Sequence, residues 1–107
     1  MTGNNQNIVE TSGDLTIQSI ESVQDALRDA LRRYQSFTVK VDAEALVDIS
    51  FIQLLEAARL SARQARQQIN LSASNNASLA DTLDRGGFLE GADPEFLQFW
   101  QSNMGAL

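Results

Sequence analysis

Along this chain apolar residues alternate between strand-like and helix-like spacing, and turn-forming residues fall where the spacing changes. Ile8-Val9 opens a short strand, Thr11-Ser12-Gly13-Asp14 supplies turn chemistry, and Leu15-Thr16-Ile17 resumes the extended pattern, so the two runs predict a small hairpin. From Ile20 the apolar positions Ile20, Val23, Leu27, Ala30, Leu31 and Tyr34 recur at helical spacing behind Ser19, a good N-cap. Glu21 and Asp25 near its start and Arg28, Arg32 and Arg33 near its end complement the helix dipole. Phe37-Thr38-Val39-Lys40-Val41 reads as the central strand, at least half buried.

A second helix is predicted from about Phe51 to Gln67, with a stripe of Phe51, Leu54, Leu55, Ala58, Ala62 and Ala65. The stripe narrows to alanine, which lets a helix lie close to a sheet. Gln68 to Ala73 alternates Ile69 and Leu71 with polar neighbours, as a strand does. Ser74 to Asn76 offers capping chemistry for a third helix carrying Leu79 and Leu83, stopped by Gly86-Gly87. Asp93-Pro94-Glu95 starts a last, short helix that gathers Phe96, Phe99 and Trp100 on one face. That aromatic face is either a lid over the domain's own sheet or a secondary interface for another chain. Tyr34 and Phe37 flank a loop and read as core.

Strands alternating with helices indicate an α/β sheet. The prediction is a single domain over residues 8–90, a small mixed sheet of about four strands packed with helices. A frayed tail over 1–7 precedes it and a helical appendage over 91–107 follows. A chain of 107 residues can hide about two-thirds of its unfolded surface, enough for one core without metal or disulfide staples.

Composition narrows the chemistry. Cysteine is absent, which excludes disulfides, thiol catalysis and thiolate metal sites. Histidine is absent too, which removes imidazole ligands, the usual general base and histidine phosphotransfer. The net charge of −6 opposes nucleic-acid binding. No apolar run approaches the roughly 18 residues of a spanning helix, and Met1 to Asn7 is unlike a secretory leader, so the expectation is a cytoplasmic protein without direct membrane insertion. Arg59, Arg63 and Arg66 fall at i, i+4 and i+7, either as a solvated helix face or as a dock for acidic groups.

The junction Val47-Asp48-Ile49-Ser50-Phe51-Ile52-Gln53 concentrates the candidate chemistry. It sets a carboxylate and a hydroxyl at the mouth of a helix, where free backbone N–H groups and the dipole favour anions. Ser50 with Gln53 forms the pattern of a capping box. The functional alternative is phosphorylation of Ser50, which would alter a docking surface more than the fold. Asp48 as a receiver-type phosphoacceptor fails, because the single lysine, Lys40, lies early and inside a strand. Asp42, Glu44 and Asp48 lack the spacing and loop glycine of a calcium loop, and no metal or cofactor is expected.

The same junction resembles the regulatory signature of STAS domains, a family that includes anti-sigma factor antagonists and domains of sulphate transporters. Gly13-Asp14-Leu15-Thr16-Ile17 looks like the family's strand ahead of its first helix, Ile69-Asn70-Leu71-Ser72-Ala73 sits where the next strand belongs, and Leu79 to Phe88 resembles its closing helix. The resemblance implies a non-catalytic regulatory module that docks a protein partner, an anti-sigma factor with a kinase-like fold or another signalling protein, through Asp48, Ile49, Ser50, Phe51 and Gln53. Its alternative is a structural STAS subunit of a lipid-transport ATP-binding cassette complex. A homodimer is compatible with either. The chain departs from the family pattern in carrying Ile49 where the phosphoacceptor usually stands and Phe51 where a glycine does.

Overall fold

A computed structural model describes residues 7–11, 13–73 and 76–101. In chain order it contains β1 (Ile8–Glu10), α1 (Ile20–Arg33), β2 (Ser36–Lys40), α2 (Ile49–Gln64), β3 (Gln68–Ser72), α3 (Ala77–Arg85) and α4 (Pro94–Gln101). The strands form one sheet in the order β1-β2-β3, with both pairings parallel. Each connection is a helix, as parallel neighbours require.

The expected hairpin is not formed. Ile8 to Glu10 pairs in parallel with Thr38 to Lys40, and Leu15 makes an isolated parallel bridge to Val47. The two apolar runs are successive stretches of one path beside β2 and the segment after it, stepping around Gly13 at φ 74°. The turn chemistry bends the path without reversing it. The sheet is therefore parallel throughout and has three strands among the described residues, against a mixed sheet of about four expected.

Alternation in the strands gives the sheet one apolar face. Phe37, Val39, Ile69 and Leu71 are buried, while Ser36, Lys40, Gln68 and Asn70 are exposed. Parallel sheets are usually covered on both sides, and a one-sided sheet is the arrangement that keeps period-two patterning visible. α1 buries Val23, Leu27 and Ala30, and α2 buries Phe51, Ile52, Leu55, Ala58 and Ala62 into the same core. Ser19 does stand before α1, but its hydroxyl faces back, accepting from Thr16 N–H at 3.1 Å and donating to the Asp14 carbonyl at 2.6 Å.

α3 ends as its two glycines predict. Gly87 N–H reaches the Asp84 carbonyl at 3.2 Å, Phe88 N–H reaches Leu83 at 3.1 Å, and Gly87 takes the left-handed φ of 75° that this closure needs. α4 begins as read, with Asp93 accepting from Phe96 N–H at 2.8 Å ahead of Pro94. Its aromatic face settles as a lid. Phe96, Phe99 and Trp100 are buried, Phe88 and Phe96 stack at 6.4 Å, and the Trp100 indole donates to Glu56 of α2 at 3.0 Å. The three aromatics thus pack within the chain and do not form an open apolar face. α4, the helix expected within 91–107, shares one core with the rest of the chain. Of the tail expected over 1–7, only Asn7 lies within the described residues; its carbonyl accepts from Thr38 N–H at 2.9 Å. Ser12, Ser74 and residues 102–107 also lie outside them.

Candidate functional site

Parallel topology brings the C-terminal ends of the strands to one edge, and the loops that follow them meet there. The loop after β1 and the loop after β2 are joined by Leu15 N–H to the Leu46 carbonyl at 2.7 Å and Asp48 N–H to the Leu15 carbonyl at 3.1 Å. Asp14 accepts from Leu46 N–H at 3.0 Å. From α3, Ser78 accepts the Val47 N–H at 2.9 Å and Thr82 donates to the Val47 carbonyl at 2.8 Å. Asn76, fully buried, accepts from Leu79 N–H at 2.7 Å and donates to the carbonyls of Asp42 and Ala45 at 2.7 and 3.0 Å. A polar buried amide is tolerated because each of its atoms is bonded.

Asp48 is the residue on which the corner turns. Its extended backbone makes it the N-cap of α2, and its carboxylate accepts from Ser50 N–H at 2.9 Å and from the Ser50 hydroxyl. The other oxygen accepts from Ile17 N–H, also at 2.9 Å, across the loop after β1. The capping box expected of Ser50 and Gln53 is therefore absent: a carboxylate two residues upstream takes the cap, α2 starts at Ile49, and Ser50 becomes its second residue. Burial pushes the Asp48 carboxyl up, but the Ser50 hydroxyl and the N–H groups of Ile17, Ser50 and Phe51 outweigh it and hold the pKa below its ordinary value.

The expected site residues divide. Asp48 and Ser50 are half-buried, Ile49 and Gln53 are exposed, and Phe51 is fully buried. Phe51 thus contributes to the core and leaves the proposed contact set, since the earlier helix start turns it inward. Two residues join the surface that sequence reasoning missed. Ile17 is 66% exposed and Leu46 58%, beside Ile49 at 43%. Ile17 was concealed by its resemblance to a strand residue. Leu46 stands outside every apolar stripe, and that isolation was its only signal.

Chemically the corner presents aliphatic side chains around an ionised carboxylate whose lone pairs are already engaged. No general base or nucleophile pair of the usual kind is assembled. Among the described residues, no three Asp or Glu side chains converge on a common point for a metal. Asp42 and Glu44 are exposed on the loop after β2.

Among the described residues no helix is long and apolar enough to cross a membrane. No curated protein and no solved structure matches the chain. A family model described as Mlab, STAS domain matches residues 2–90, a span that holds the whole sheet, the corner and α3 and ends before α4. With three-quarters and more of its length matched and the α/β order that the resemblance implied, the chain belongs to the STAS domain family.

Proposed function

We propose that this protein is a non-catalytic docking module, and that it holds a protein partner through the corner at the start of α2. One observation carries the reading: Ile17, Leu46 and Ile49 stand exposed around Asp48, on backbone that hydrogen bonds fix between two loops and α3. Aliphatic side chains held rigid in water gain on being covered, at roughly 25 cal/mol for each Å² of apolar surface removed. Rigidity also lowers the ordering cost of association. Asp48, Ser50 and Gln53 supply polar contacts at the rim.

Resemblance to anti-sigma factor antagonists makes a signalling partner, switched by phosphorylation of Ser50, the first reading of that surface. The Ser50 hydroxyl, however, already donates to Asp48, and a phosphoryl group there would face a carboxylate held ionised. This favours a permanent contact over a switched one. It also gives weight to the second reading, a structural STAS subunit of a lipid-transport ATP-binding cassette complex, which Ile49 in the acceptor position suits.

Affinity purification from the native cell, with mass spectrometry, tests both. Wild type is expected to bring down a stoichiometric companion that Ile49→Asp loses while remaining folded. An ATPase and permease as companions select the structural reading; a kinase-like protein together with phosphate on Ser50 selects the switched one. Retention of every companion by Ile49→Asp and by Ile17→Asp would refute docking at this corner.

A further inference from the structure

At the far end of α2, about 24 Å away by the rise of its 16 residues, lies a groove unrelated to the corner. It measures about 670 Å³ and runs between the last turns of α2, the start of β3 and α4. Its size is that of a ligand cleft. Ala62, Ile69 and Phe99 give it an apolar floor, and Arg59, Arg63 and Arg66 line one wall. Three of the eight basic residues of a chain with net charge −6 thus share one groove.

Arg59 differs from a solvated helix face, while Arg63 and Arg66 are exposed at the groove. The Arg59 side chain is only 12% exposed, lies over the Phe99 ring at 5.8 Å and forks onto Glu56. Arg63 reaches into the groove to Glu95 of α4 at 2.8 Å, so one carboxylate already sits there. Arg66 has no carboxylate partner among the described residues. It also occupies the residue that closes α2, at φ 62°, with Arg66 N–H to Arg63 at 3.2 Å and Gln67 N–H to Ala62 at 2.8 Å. Glycine is the residue that this backbone favours. An arginine held at a groove against its backbone preference is an outlier of the kind that clusters at ligand clamps.

From this geometry we infer that the groove is a second docking site, and that its occupant is a short acidic segment of another protein, with carboxylates on Arg63 and Arg66 and an apolar side chain on the floor between. The alternation of apolar floor and cationic wall fits a peptide with both kinds of side chain better than a bare anion. The overall charge of −6 repels long polyanions and anionic membranes. Glu95 acts as an internal competitor: it keeps Arg63 neutralised until an incoming carboxylate displaces it.

The test uses the full chain and a fluorescein-labelled hexapeptide alternating glutamate and leucine, followed by anisotropy, with the glutamine-leucine peptide as control. The glutamate peptide should bind saturably and at least about tenfold more tightly than the control. Arg66→Gly, which relieves the backbone and keeps the fold, should weaken it about fivefold or more, whereas Glu95→Gln should tighten it about twofold. Absence of saturable binding, equal binding of the two peptides, or indifference to Arg66→Gly and Arg63→Ala overturns the inference. Displacement by orthophosphate at matched concentration would assign the groove to small anions, and arginine-dependent binding of phosphatidylglycerol vesicles would assign it to a membrane; either result overturns the peptide.

Discussion

The aromatics of α4 and the aliphatics of the α2 corner exchange the roles that their side chains alone would assign. Phe96, Phe99 and Trp100, the residue types favoured at binding hot spots, are inside, and Ile17, Leu46 and Ile49, ordinary core types, are outside. What separates them is the backbone beneath. The aromatics share one face of a properly capped helix and meet Phe88 and Glu56 as a receiving wall. Ile17 and Leu46 sit on loops tied down by hydrogen bonds to Asp14, Asp48 and Ser78, Ile49 opens α2 beside them, and all three stand exposed. Side-chain type tells what a surface would gain by being covered; the framework decides whether it is.

The contrast is most exposed to Trp100→Ala, which should cost about 3–5 kcal/mol in urea unfolding while Ile49→Ala stays within about 0.5 kcal/mol. Equal losses would erase the distinction between the two regions. Asp48→Ala comes next, at about 1–2 kcal/mol, since it removes the cap of α2 and orphans the Ile17 N–H together. Arg66→Gly should act in the opposite direction, raising the thermal midpoint by an amount equivalent to about 0.5–1 kcal/mol. Acid unfolding gives the gentlest discrimination. The pKa values of Asp48 and Glu56 lie below their ordinary 3.8 and 4.5 in the folded chain, so their contribution is present above those values and is lost as pH falls through the folded ones. For Glu56 burial opposes that lowering, and the Arg59 contacts and the Trp100 indole overcome it. A stability profile for Asp48→Asn with Glu56→Gln should be flatter below pH 4.5 than that of wild type.

β2 and β3 were legible from their period alone, α1 from its period and the charges that complement its dipole, and the start of α4 from its Asp93 cap and Pro94. The hairpin was misread because Gly13-Asp14 chemistry fits a bend and a reversal equally well; only the pairing with β2 tells them apart. Ser50 and Asp48 are both good N-caps, and local sequence offered Gln53 as support for the wrong one. Asp48 wins through a bond to Ile17, 31 residues distant, which no local pattern reports. The aromatic face was visible as a face, yet its covering depended on where α4 lands. The groove by Arg66 was half visible: the arginine spacing could be read, the unfavourable backbone under the last one could not.

Because every strand of the sheet runs the same way, the segments that shape the corner leave from strand tips, and within them the exposed Ile17, Leu46 and Ile49 are interleaved with Leu15, Val47 and Phe51, which are buried in the core. Outward and inward positions are consequently written side by side in the same short stretches of the chain. On the proposed docking, exchanging the outward Ile17, Leu46 or Ile49 would alter the contact surface and leave the inward Leu15, Val47 and Phe51 in place, so a lineage could acquire new companions by small edits.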